Sequence, residues 1–182
     1  MNQEQGQKLL ELARISIHQE FDPKKEMGQT ESWMKESGAC FITLKKKDAL
    51  RGCIGSLEPH RSLKEDVIQN AKASAFRDPR FPSVRFEELS EIRIEISVLQ
   101  TPEVLSFSSE KEALALITPK ADGLILKCGS KRATFLPQVW ETLPDKQRFL
   151  SELKRKAGLP TDFWSDHLRL WKYGVEKWEE SE

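Results

Sequence analysis

The chain of 182 residues, 38% of them hydrophobic, is long enough for one domain with a proper hydrophobic core. Its 29 lysines and arginines balance 29 aspartates and glutamates, which disfavours a dedicated nucleic-acid-binding protein because such proteins usually carry a basic excess. The apolar stretches fall far short of a bilayer span, no signal peptide is visible, and three cysteines without a C-x-x-C pair indicate a cytoplasmic protein with free thiols and no membrane association.

The first half of the chain alternates between helical and strand-like hydrophobic patterns. Helices are predicted over residues 7–21 and from Ser62 to about Arg77, and a capping box of Ser62 and Glu65 opens the second helix. Strands with alternating apolar residues are predicted over residues 39–44, 50–56 and 92–99. A short polar turn separates the first two strands, so we expect them to form a hairpin.

The second half of the chain repeats this mixture on a smaller scale. Helical segments are predicted over residues 110–117, 137–141 and 145–157. Strands are predicted over residues 123–128, 131–136 and 167–177, the first two joined by a two-residue Gly-Ser turn. Hairpins joined by helices of ordinary length predict an α+β fold, an antiparallel or mixed β-sheet with helices packed on it.

The second predicted strand carries the strongest candidate for chemistry, because Gly52 and Gly55 flank Cys53. Glycine inside a strand often marks a bulge or the close approach of a ligand or of another backbone segment. A period of two places Arg51, Cys53 and Gly55 on one face of the strand. The Arg51 guanidinium would then favour the thiolate form of Cys53, and Gly55 would leave room for a ligand beside the sulfur.

A structural role for the cysteines is the alternative, since free cysteine is among the most buried residue types. Cys40 and Cys128 fall in apolar strands and are expected in the core. For Cys53 the sequence leaves both a structural and a functional role open. His60 reaches Cys53 only if the chain folds back, and an exposed turn is the simpler interpretation. The histidines show no metal-ligand spacing, so we expect neither a metal nor a cofactor.

Arg77, Asp78 and Arg80 crowd the turn that follows the second predicted helix. In one interpretation this is an Asp-Pro turn, with Arg77 favourably placed at the negative end of the helix dipole. In the other, Arg77 and Arg80 donate hydrogen bonds to an anionic ligand, and Asp78 orients one of them.

Several segments together resemble the AMMECR1 family, whose prokaryotic members are called AmmeMemoRadiSam system protein A. The resemblance rests on RGCIG at residues 51–55 and AFRDPRFP at 75–82, with further blocks at 94–99, 122–126 and 135–140. It implies a single domain over residues 1–182, with a larger lobe that contains both termini, a smaller lobe from an internal segment, and a cleft between them. It also implies association with a Memo-like protein and a radical S-adenosylmethionine protein, in a family without a settled activity.

Two functional hypotheses follow from these features. The first is a thiol-dependent enzyme acting on a small or anionic substrate, with Cys53 and Arg51 as its catalytic residues. Its expected ligand-binding residues are Gly52, Gly55, Arg77, Asp78 and Arg80. The second is a non-catalytic module that binds a ligand, a peptide or a nucleic-acid segment, or serves as a scaffold for the Memo-like partner, because no evident general base accompanies the cysteine.

Overall fold

The computed structural model describes residues 1–181, which divide into two compact units. One unit contains Met1–Leu99 and the segment that begins at Glu176, and the other contains Gln100–Val175. The helices are α1 (Gln3–His18), α2 (Leu63–Phe76), α3 (Glu110–Leu116) and α4 (Lys146–Lys156). The strands are β1 (Cys40–Lys46), β2 (Ala49–Gly55), β3 (Ile92–Leu99), β4 (Glu103–Val104), β5 (Gly123–Cys128), β6 (Lys131–Phe135), β7 (Arg169–Tyr173) and β8 (Val175–Glu179). Short 3-10 helices cover Ser32–Lys35, Phe86–Glu91 and Pro137–Glu141.

The sheet of the first unit has the strand order β2-β1-β3-β8, and β1 runs antiparallel to both of its neighbours. Cys40, Ile42 and Leu44 on one face of β1 are completely buried, and α1 and α2 pack on this side. Thr43 lies on the opposite face and pairs with Cys53 of β2. Directly paired residues of an antiparallel sheet share a face, so Cys53 points away from the two helices.

The predicted β1–β2 hairpin and the predicted strand at residues 92–99 are both confirmed. Lys47 and Asp48 form the hairpin turn with positive φ angles of 50° and 62°. Two consecutive left-handed residues give the turn that matches the twist of the flanking strands. The alternating antiparallel strands and helices confirm the predicted α+β fold.

The two helices of the first unit begin at hydrogen-bonded caps. Ser62 and Glu65 form the predicted capping box of α2. α1 begins at Gln3 rather than at residue 7, because Asn2 and Gln5 form a second capping box. Apolar periodicity alone missed this polar first turn.

The sheet of the second unit has the order β4-β7-β5-β6. The predicted hairpin of β5 and β6 is confirmed, and its turn residue Gly129 has a φ of 61°. Trp140 stacks on Phe149 of α4 with ring centroids 3.7 Å apart, and both side chains are buried in this unit's core. The 3-10 helix Pro137–Glu141, which follows β6, therefore packs against α4 in this core.

The single strand predicted over residues 167–177 is wrong, because the chain changes sheets within it. β7 belongs to the sheet of the second unit, and β8 belongs to the sheet of the first. Gly174 separates them, and its carbonyl accepts a hydrogen bond from the Gln100 backbone N–H at 2.9 Å. This interruption explains why the alternation of apolar residues is irregular there.

Among residues 1–181, no helix combines the length and apolar character that crossing a membrane requires. The cytoplasmic location stays a prediction.

Candidate functional site

β2 contains a bulge at the residue that precedes the two glycines and the cysteine. Leu44 of β1 pairs with Gly52, whereas the next residue, Lys45, pairs with Leu50, so Arg51 is an extra residue in β2. A bulge disrupts the alternation of a strand and re-aims the side chain at that point. The strict period of two predicted through this segment is therefore wrong at Arg51.

The Arg51 side chain forms a two-point ion pair with Glu88 of the 3-10 helix Phe86–Glu91. Its Nε and Nη2 donate to the two carboxylate oxygens of Glu88 at 3.2 and 3.1 Å. This pairing, assisted by the Arg85 backbone N–H, lowers the pKa of Glu88 to about 2 even though burial opposes the shift. Lys46 from the helix-facing row of β1 also donates to Glu88, at 3.3 Å. The predicted partnership of Arg51 with Cys53 is thus replaced by a structural ion pair.

Close packing explains both glycines. A Cβ atom at Gly52 would lie 2.2 Å from the Ser74 carbonyl oxygen of α2. A Cβ atom at Gly55 would lie 2.3 Å from the ring of Phe41 on the neighbouring strand. Gly52 therefore lets the helix backbone approach the strand, and the space predicted for a ligand at Gly55 is filled by an aromatic ring.

Asp78 and Arg80 hold the backbone of Cys53 on the open edge of the sheet. The Cys53 N–H donates to Oδ2 of Asp78 at 2.8 Å, and the Cys53 carbonyl accepts from Nη2 of Arg80 at 3.0 Å. Arg80 in turn donates to both carboxylate oxygens of Asp78, at 2.9 and 2.7 Å. Asp78 thus fixes the position of Arg80 beside Cys53, whereas the predicted role of these residues in binding an anionic ligand stays a prediction.

Asp78 and Arg80 each stabilise the charged form of the other. Arg80 chiefly, together with the N–H groups of Cys53 and Arg80, holds the pKa of Asp78 well below its usual range although the carboxylate is buried. Asp78 chiefly raises the pKa of the Arg80 guanidinium against the opposing effect of burial, and the neighbouring Cys53 side chain adds to the rise. Arg80, rather than Arg51, is thus the guanidinium that contacts Cys53.

Ser74 fixes the residue that follows Cys53. Its hydroxyl accepts from the Ile54 N–H at 2.9 Å and donates to the Ile42 carbonyl at 2.8 Å. Since Ile42 and Ile54 are paired positions of β1 and β2, the hydroxyl bridges the two strands beside the cysteine. The end of α2 and the turn after it therefore hold the chain on both sides of Cys53.

The Cys53 thiol is half-buried and has a hydroxyl neighbour on the same face of the sheet. Oγ1 of Thr43 donates to Sγ of Cys53 at 3.3 Å. Sequence reasoning missed Thr43, although the hairpin turn fixes a register that places these two residues opposite each other. It also missed Ser74, because helical periodicity shows only that this position is buried.

The remaining candidate residues lie apart from the thiol. Arg77 is exposed and ends α2, its N–H bonded to the Ala73 carbonyl, which confirms the helix-terminus interpretation. His60 is exposed in the loop that precedes α2. Cys40 is completely buried, as predicted, and burial raises the pKa of its thiol well above the usual value. Cys128 is half-buried rather than fully buried. Within residues 1–181, His, Cys, Asp and Glu side chains form no group of three or more arranged to hold a metal ion.

Comparisons with known proteins agree with this architecture. The sequence model of the AMMECR1 family matches residues 10–178. A protein of Methanothermobacter thermautotrophicus is 36% identical over 99% of this chain and 96% of its own length, and one of Methanopyrus kandleri is 38% identical over 98% and 90%. The crystal structure of an uncharacterized protein from Pyrococcus horikoshii has a TM-score of 0.78 at 34% identity, covering 99% of this chain and 93% of that one. The chain belongs to the AMMECR1 family.

Proposed function

We propose that this protein uses the Cys53 thiol to react with a small electrophilic substrate. One observation carries the proposal: groups from two other elements contact Cys53, whose side chain is half-buried. β1 supplies the Thr43 hydroxyl, β2 supplies Cys53, and the turn after α2 supplies the Arg80 guanidinium. A thiol surrounded by hydrogen-bond donors and a positive charge is the environment in which cysteines react as nucleophiles.

The rigidity of the cysteine backbone supports the same function. A nucleophile must hold its reacting atom in place, and here the N–H and C=O of Cys53 are bound by Asp78 and Arg80, while Ser74 binds the next N–H. The Arg80 side chain is 53% exposed, so its guanidinium reaches solvent as well as the Cys53 carbonyl.

Competitive alkylation tests the reactivity of Cys53 inside one molecule. The reduced protein is treated with limiting iodoacetamide at pH 7, and each cysteine peptide is quantified by mass spectrometry. In this reaction the sulfur displaces iodide, and the thiol proton passes to solvent. We expect Cys53 to react about tenfold faster than Cys128, because Thr43 and Arg80 contact Cys53 while both cysteine side chains are half-buried.

The controls for this experiment come from the same chain. Cys40 should remain unmodified because it is completely buried, and Cys53→Ser should lose only the fast phase. Iodoacetate, the anionic analogue, shows whether the site selects a negatively charged substrate. A Cys53 that reacts no faster than Cys128 would refute the proposed function.

A second candidate function, binding of a protein partner, is favoured by an exposed aromatic cluster in the first unit. The ring of Phe21 makes edge-to-face contacts with Phe76 and Phe86, each at a centroid distance of 5.7 Å. Phe86 is 59% exposed. Exposed aromatic groups of this kind often mark protein interfaces. The resemblance names a Memo-like protein and a radical S-adenosylmethionine protein as partners, and we place the Memo-like protein at this cluster.

A binding titration with the purified Memo-like protein of the same organism tests the second candidate. Phe86→Ser should weaken binding about tenfold or more, as expected for an aromatic anchor. Leu57→Ser is the matched control, because Leu57 is 40% exposed in the loop after β2. Equal binding by the Phe86 and Leu57 variants would remove the cluster from the interface.

A further inference from the structure

We propose that one face of the second unit's sheet, the face opposite α4, binds single-stranded nucleic acid. On the α4 side, Leu124, Leu126 and Leu170 are completely buried in one core with residues of that helix. Alternate residues of a strand point to opposite faces, so the residues between these leucines lie on the face opposite α4. That face belongs to Gln100–Val175, whereas Cys53 and the exposed aromatic cluster belong to the other unit. The proposal is therefore independent of both candidate functions above.

Three basic residues form a row across this face, one from each of three adjacent strands. Lys127 of β5 pairs directly with Arg132 of β6 on one side and with Arg169 of β7 on the other. All three residues are exposed, and the strand residues of this face include no aspartate or glutamate. Like charges placed directly opposite each other destabilise a sheet, so this cationic row favours binding of a polyanion.

Lys127 and Arg169 are the two cations of the row that we assign to phosphate groups. In the part of the chain that the structure describes, neither side chain forms an ion pair with a carboxylate. Nη1 of Arg169 donates to the carbonyls of Asp166 and Leu168, at 2.7 and 3.2 Å, which orients the guanidinium without neutralising its charge. Arg132 makes a further contact and is not counted here.

The balanced charge of the whole chain conceals a difference between the two units. Residues 100–175 contain 12 lysines and arginines and 9 aspartates and glutamates, whereas the rest of the sequence contains 17 and 20. The basic excess therefore lies in the unit that carries the cationic row. A local basic excess on one face is the electrostatic feature expected of a surface that binds nucleic acid.

Trp171 favours nucleic acid over an acidic protein segment as the polyanion. It follows Arg169 by two residues on the same face of β7 and lies between Ile125 of β5, which is buried, and Val104 of β4, which is exposed. The indole is half-buried and is not among the aromatic side chains packed against this unit's core. Bases stack on aromatic rings while neighbouring cations bind phosphates, so a strand of nucleotides uses both features at once.

The test measures binding of the full-length protein to labelled oligothymidylate and oligouridylate by fluorescence anisotropy, with oligomers of about 12 nucleotides. We expect Lys127→Ala and Arg169→Ala each to weaken binding about tenfold at about 50 mM salt. Each should also reduce the slope of log affinity against log salt concentration by about 0.7, the value for one phosphate contact with a single strand. Preference for the deoxy or the ribo oligomer identifies the sugar, and either result supports the proposal.

Trp171→Leu separates stacking from charge. It should weaken binding about tenfold and leave the salt slope unchanged, because stacking releases no counterions. Trp171→Tyr keeps an aromatic ring and should retain most of the affinity. Circular dichroism checks that each variant is folded.

Arg148→Ala is the matched control, because Arg148 is exposed on α4, the helix that packs on the other side of the sheet. It removes the same charge and should change the affinity by less than about twofold. Equal weakening by Arg148→Ala and Lys127→Ala would overturn the assignment of this face. The absence of oligonucleotide binding at about 50 mM salt, or tighter binding of a polyglutamate peptide than of either oligomer, would also overturn it.

Discussion

Gly52→Ala is expected to lower the free energy of unfolding by about 3 kcal/mol, because overpacking against a backbone atom cannot be relieved by moving a side chain. The new methyl group would lie 2.2 Å from the Ser74 carbonyl oxygen, and α2 would have to move away from β2. Chemical denaturation at neutral pH measures the change. The same displacement should disturb Cys53, the next residue, and reduce its advantage over Cys128 in alkylation.

Gly28→Ala is the matched control for this substitution. A Cβ atom at Gly28 meets nothing within 4 Å, so its effect should stay within about 0.5 kcal/mol, as for most surface substitutions. A Gly52 variant as stable as the Gly28 variant would show that the helix and strand separate without cost, and the close-approach explanation of this glycine would be wrong.

Asp78→Asn is expected to lower the free energy of unfolding at pH 7 by about 2 kcal/mol, because it weakens four hydrogen bonds to a buried carboxylate. The pairing with Arg80 depresses the folded-state pKa of Asp78. A depressed carboxyl pKa stabilises the fold above the unfolded pKa of about 4, and this contribution is lost as the pH falls. The difference between wild type and variant should therefore be constant from pH 7 to about 5 and narrow below about pH 4.

Asp162→Asn provides the control, since Asp162 is exposed in the loop after α4. Its unfolding free energy should follow that of the wild type at every pH to within about 0.5 kcal/mol. A difference between Asp78→Asn and wild type that widens as the pH falls would contradict the sign of the pKa shift. No difference at pH 7 would show that Asp78 does not hold the edge strand.

The sequence predicted those parts of the fold whose signal is local. The alternation of apolar residues located β3 without error, and the Ser62–Glu65 capping box located the start of α2. The β1–β2 hairpin followed from two alternating segments around a polar turn. These features depend on residues that lie within one turn or one strand of each other. The local sequence is therefore enough to predict them.

The site was harder to predict, because contacts between distant segments decide it. Sequence reasoning found Cys53, Asp78 and Arg80 but assigned the partner guanidinium to Arg51. A bulge breaks the alternation there, and the residue that attracts Arg51, Glu88, lies in a separate 3-10 helix. The two glycines did signal close approach, but what approaches is a helix backbone and an aromatic ring, and neither neighbour can be read from the strand itself.

The change of sheet between β7 and β8 illustrates the same limit. A glycine within a predicted strand can mark a break, and Gly174 is such a residue. Nothing local shows that the residues after it pair with β3, because that pairing depends on the order of strands in the whole fold.

We propose that Arg80, and not Arg51, supports the reactivity of the Cys53 thiol. The most direct test compares iodoacetamide labelling of Cys53 in Arg80→Lys and in Arg51→Lys. A lysine cannot bind Asp78 at two points and also the Cys53 carbonyl, so we expect Arg80→Lys to slow labelling of Cys53 about tenfold relative to Cys128. Arg51→Lys keeps a positive charge beside Glu88 and should leave the ratio within about twofold of wild type. Slowing by Arg51→Lys with no effect of Arg80→Lys would contradict this assignment of the site.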